Sequence, residues 1–90
     1  MKELWADEEI KGKILFKLTR LRKYHHSHTS IDNLPKGFPR DSHGRVKDLI
    51  HELIKEEILI VKPTSYGIEV SVNSEKREKI LYYIEYYENI

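Results

Sequence analysis

Residues 58–72 decide the fold: Ile58-Leu59-Ile60-Val61-Lys62, then Pro63-Thr64-Ser65-Tyr66-Gly67, then Ile68-Glu69-Val70-Ser71-Val72. The first five are short and β-branched, which predicts a strand. The middle five carry turn residues. The last five alternate apolar and polar, which predicts a half-buried strand. This hairpin stands in a chain otherwise patterned for helices. Upstream, Val46, Leu49, Ile50, Leu53 and Ile54 recur at helical spacing, so a long helix starts at Ser42 with Asp41 or Ser42 as its cap. Before it, Phe38–Ser42 is a turn and Asp32–Gly37 one short helical turn, capped by Asp32 and ended by Gly37. A short extended piece is expected over residues 28–31. Ile10, Ile14, Leu15, Leu18 and Leu21 predict a first helix over about residues 7–24. Asp7 is its expected N-cap, and Gly12 a weak point within it. Downstream, Ser74 is the expected N-cap of a last helix running to about Glu88.

Helix, short helix, helix, two-stranded hairpin and C-terminal helix form the layout of a winged helix-turn-helix, an α+β fold with the hairpin as its wing. Residues 1–90 are read as a single winged-helix domain, with a core over 7–73 and a C-terminal helix over 74–90 serving as a dimerisation element. The stretch HTSIDNLPKGFP, a following helix and ILIVKPTSYGIEVSVN are similar to small archaeal winged-helix proteins of mostly unassigned role. The resemblance covers roughly residues 10–73. It implies the fold and a DNA-binding class, and no particular target.

At 90 residues the chain has room for one small domain. With no cysteine, disulfides, thiolate metal sites and cysteine nucleophiles are excluded. No apolar run approaches the roughly 18 residues of a membrane span. The acidic start is unlike a signal peptide, so a cytoplasmic location is expected. Gln is absent while Lys, Glu and Ile dominate, a usage expected of a thermophile.

The net charge of +1 conceals an asymmetry. Residues 1–9 carry −3, residues 10–47 carry +8 from ten bases and two acids, and residues 48–90 carry −4. A basic block of this kind can form a phosphate-binding face. The expected contacts to double-stranded DNA are Lys36 and Arg40 before the long helix, and Ser42, His43, Arg45 and Lys47 in its first turns. Lys62, Thr64, Ser65 and Tyr66 are expected to act from the wing. Asp48 and Glu52 lie on the same exposed side and would repel phosphates. Pairing with Arg45 and Lys55 at i,i+3 spacing would neutralise them, at about 0.2–0.5 kcal/mol each. The alternative reading is a winged-helix protein–protein interaction module that binds no DNA.

His25, His26 and His28 cluster in the first connection, with His43 and His51 elsewhere. His26 and His28 would point to one face of an extended piece, but no acid lies close enough in sequence to complete a ligand set, so no metal and no cofactor is expected. Protonation of these histidines would raise DNA affinity as the pH falls from about 8 to 6. No nucleophile motif, phosphate loop or carboxylate pair is present, so the chain is not expected to be an enzyme. In the last helix, Ile80, Tyr83, Ile84 and Tyr87 share one face, while Tyr82 and Tyr86 lie opposite with Leu81 between. An apolar surface on both sides predicts a homodimer through Leu81, Tyr82, Tyr83, Tyr86 and Tyr87, joined by Leu4 and Trp5.

Overall fold

A computed structural model describes residues 5–89. The chain is α+β, with three α-helices and a three-stranded antiparallel sheet. Its elements in order are α1 (Asp7–Arg20), β1 (Thr29–Ser30), α2 (His43–Lys55), β2 (Leu59–Thr64), β3 (Gly67–Val72) and α3 (Arg77–Glu88). Single 3-10 turns at Ile31–Asn33, Arg40–Ser42 and Ser74–Lys76 join them. Strand β3 is central, pairing β1 through Thr29↔Val70 and Ser30↔Glu69 and β2 through Leu59↔Val72 to Thr64↔Gly67.

The apolar stripes read from the sequence meet in one core. Ile10, Ile14, Leu15 and Leu18 of α1 pack with Val46, Leu49, Ile50 and Leu53 of α2, with Val70 and Val72 of β3, and with Ile80 of α3. Each fully buried aliphatic side chain contributes about 1.5–3 kcal/mol of transfer free energy.

Several local expectations are corrected. Helix α1 stops at Arg20 rather than Tyr24 because Arg22 enters the left-handed region (φ +56°) and the Lys23 N–H returns to the Leu18 carbonyl at 3.0 Å. This frees residues 23–25 to pair with Val72. Ala6, not Asp7, precedes α1, and no side chain caps it. The short helix expected over Asp32–Gly37 is a single 3-10 turn at Ile31–Asn33, followed by turns through Gly37; Ser30 caps it, its hydroxyl accepting from the Asp32 N–H, so Asp32 is capped rather than capping. Neither Asp41 nor Ser42 caps α2; the Ser42 hydroxyl donates instead to the Pro39 carbonyl at 2.8 Å. Asn73 rather than Ser74 receives the Glu75 N–H. The hairpin turn narrows to Ser65 and Tyr66, because Pro63 and Thr64 continue β2. Strand β2 is an edge, where a residue without an N–H is tolerated.

Gly12 is no weak point. It sits where α1 crosses α3, and a Cβ there would collide with the Tyr83 carbonyl and lie 2.6 Å from the Tyr87 Cβ. The helix propensity lost at Gly12 permits this close packing.

Candidate nucleic-acid interface

Helix α2 and the β2–β3 hairpin border one surface. Lys47, Ile50 and His51 of α2, Ile31, Asp32 and Pro35 of the preceding turn and Ile68 of β3 line a single cleft of about 260 Å³. The hairpin tip projects beside it. The Thr64 hydroxyl donates to the Gly67 carbonyl at 2.7 Å and accepts from the Tyr66 N–H, which stiffens the turn. Tyr66 is 98% exposed at that tip, and Lys62 and Ser65 are exposed beside it.

The ten expected contacts divide into two groups. Arg40 and Lys47 are exposed cations with no ion-pair partner among the described residues, and Lys36 donates to the Asn33 side chain at 3.0 Å. With Lys62, Ser65 and Tyr66 they can reach a ligand. Ser42, His43 and Thr64 hold local structure. The His43 Nε2–H donates to the Phe38 carbonyl at 3.0 Å, which together with the Ser42–Pro39 bond fixes the turn into α2. Arg45 does not pair with Asp48. Its Nη2 lies 2.6 Å and its Nε 3.1 Å from the same Oδ1 of Asp7.

The basic block does not gather into one face. Lys11 is 7% exposed and lies 2.9 Å from both Glu52 and Glu56, so Glu52 serves Lys11 rather than Lys55. The Lys13 ammonium sits between the rings of Trp5 and Phe38 and donates to the Gly37 carbonyl at 2.8 Å. Lys17 and Arg20 lie at the far end of α1 and Arg22 and Lys23 just beyond it, where Lys23 meets the end of β3 rather than the hairpin tip. Among the described residues, what remains beside α2 and the hairpin is a smaller set of cations without an ion pair: Lys36, Arg40, Lys47, Lys55 and Lys62.

A second charged cluster joins the three helices. Glu56 Oε1 accepts from the Tyr83 hydroxyl at 2.8 Å and faces Lys79 at 3.5 Å, while the Lys11 ammonium lies over the Tyr83 ring. Burial pulls the Lys11 ammonium down, but its hydrogen bonds to Glu52 and Glu56 outweigh burial and leave it above the ordinary lysine value. Burial pushes Glu56 up, and the bonds from Lys11 and Tyr83 more than reverse this, so its pKa is lowered. The Tyr83 hydroxyl is raised by burial and by its bond to the Glu56 carboxylate.

The α3 residues expected at a dimer interface also divide. Tyr83 and Tyr87 turn inward against α1, the Tyr87 ring lying tilted against that of Phe16 with centroids 5.6 Å apart. Leu81, Tyr82 and Tyr86 remain exposed, with Tyr82 at 55%. Trp5 packs edge-on against Phe38 within the chain, and Leu4 lies outside the described residues.

Among the described residues no three His, Asp or Glu side chains converge on a possible metal position. Among them, too, no helix is long and apolar enough to cross a membrane. The chain matches no protein family, no curated protein and no solved structure. Sequence reading missed the apolar floor of the cleft, because Ile31, Pro35, Ile50 and Ile68 come from three separate segments. It also missed the Arg45–Asp7 pair, whose partners are 38 positions apart.

Proposed function

We propose that this chain is a winged-helix protein that binds duplex DNA and acts, as a dimer, in transcription regulation in the cytoplasm. Helix α2 would be the helix offered to the major groove, and the β2–β3 hairpin the wing. One observation carries the reading: α2 and the hairpin flank the same surface, as Lys47, His51 and Ile68 share one cleft. Arg40 and Lys47 are free to meet phosphates there, and Lys62 and the exposed Tyr66 extend the contact from the hairpin. A gel-shift titration with random duplex at two salt concentrations tests it. The expected result is an affinity falling steeply with salt, with a log–log slope of roughly −0.9 per phosphate contact. Binding that ignores salt, or no binding, would rule it out.

A specific observation favours a second reading, in which the same surface docks a protein. The cleft floor is apolar, and Ile68 is exposed at its edge. Ion pairing at Lys11 and Arg45 also trims the positive charge available to DNA.

Dimerisation would use the outer face of α3. Leu81, Tyr82 and Tyr86 supply its exposed apolar side chains. Two copies would pair this face around a two-fold axis.

A further inference from the structure

A cavity of about 540 Å³ opens on the side of the molecule formed by the end of α1 and the start of α3. Its floor is aliphatic, made by Ile80, Leu81 and Ile84, and its rim carries Thr19, Tyr24, Ser74 and Arg77. This volume lies within the range of small-molecule sites, roughly 300–1,000 Å³, and an apolar body with a few polar groups is their usual lining.

Arg77 is the only charged residue in the lining. Its guanidinium has no hydrogen-bond or ion-pair partner among the described residues, and neither neighbouring acid, Glu75 nor Glu78, contributes to the cavity. The site thus offers one unopposed cation beside an apolar floor. Thr19 already donates to the Phe16 carbonyl, so its hydroxyl is committed to α1. Ser74 is held at the rim by a 2.7 Å hydrogen bond with His25 Nε2. His25 itself adopts a left-handed backbone (φ +44°), and its connection is anchored through the pairing of residues 23–25 with Val72. The rim is therefore built from two segments tied to the sheet and to the start of α3.

We infer that this cavity binds a small organic anion, its carboxylate on Arg77 and its apolar body against Ile80, Leu81 and Ile84. A guanidinium can bind a carboxylate through two parallel N–H donors, and Tyr24 and Ser74 can supply further polar contacts. The inference is independent of nucleic-acid binding, since none of the α2 or hairpin contacts takes part.

The test is an NMR titration of the full-length, 15N-labelled chain with benzoate, using benzamide as an uncharged probe of the same shape. Saturable shifts are expected at Thr19, Tyr24, Arg77, Ile80 and Leu81, with benzoate at least about ten-fold tighter than benzamide. Arg77→Gln should remove most of that preference, weakening benzoate far more than benzamide. Leu81→Ala should weaken both probes. Equal affinity for the two probes, benzoate shifts centred on Arg40 and Lys47, an unaltered preference in Arg77→Gln, or no saturable binding would each overturn the inference.

Discussion

Arg45 on α2 and Asp7 at the start of α1 form a close ion pair, with two guanidinium nitrogens on one carboxylate oxygen. Both side chains are exposed, so the pair stabilises the fold by only about 0.2–1 kcal/mol. Its larger consequence is for binding, because it turns a cation of the would-be reading helix toward the protein. Arg40→Ala and Lys47→Ala are therefore expected to weaken duplex binding more than Arg45→Ala does. Asp7→Asn should strengthen binding by releasing Arg45. Gel shifts on the four variants decide the matter, and an Arg45→Ala loss as large as that of Arg40→Ala would contradict the geometry.

Gly12→Ala should destabilise the fold even though alanine is the better helix former. The added Cβ would meet the Tyr83 carbonyl, which cannot move without shifting α3. Overpacking of this kind costs about 1–3 kcal/mol, against a propensity gain of about 1. Thermal unfolding should show a lower midpoint; an unchanged or higher one would mean that the helices cross less closely.

The Lys11–Glu56–Tyr83 cluster predicts how stability depends on pH. Glu56 has a lowered pKa when folded, so its contribution is present above its ordinary value of 4.5 and is lost as the pH falls through the lower folded value. Lys11 and Tyr83 are both raised. Their contributions are present below 10.5 and 10.0 respectively and are lost as the pH rises through the folded values. Urea unfolding across pH should therefore show a plateau between acid and alkaline falls, and Glu56→Gln should flatten the acid side. Lys11→Met should cost about 2 kcal/mol or more at neutral pH, because it strips Glu52 and Glu56 of their nearest cation.

Glu57 ends α2 in the left-handed region (φ +62°), and the Ile58 N–H closes back onto the Leu53 carbonyl at 3.0 Å. A non-glycine residue there costs about 1–2 kcal/mol. The contact from the Asn73 side chain is to the Glu57 backbone carbonyl, which glycine keeps. Glu57→Gly is expected to raise the thermal midpoint by several degrees, allowing for the added freedom of the unfolded chain. A lowered midpoint would show that the Glu57 side chain contributes more than its backbone costs.

Tyr82→Lys and Tyr86→Lys place like charges on the outer face of α3, where both rings are exposed. Sedimentation should show a dimer in the parent at tens of micromolar and a monomer in the double variant, with unfolding little changed. A monomeric parent would remove the α3 dimer.

The elements were readable where the signal is local. A helical stripe from Val46 to Ile54 and the alternation from Ile68 to Val72 each report on neighbours a few positions away, so α2 and β3 emerge from the residues alone. The caps were less readable. Ser30 and Asn73 took roles expected of Asp32 and Ser74 because adjacent polar residues compete for the same N–H, and backbone geometry chooses between them. The order of the three long helices and the hairpin was thus determined by the sequence, because hydrophobic periodicity dictates which side of each element must be buried, whereas packing on α1 turned Tyr83 and Tyr87 inward from the dimer face expected of them. Only the tertiary structure decided where the charges went. Lys11 found its carboxylates 41 and 45 residues away and Arg45 its own 38 away, since electrostatic partners are chosen by distance in space once the core has set the elements against one another.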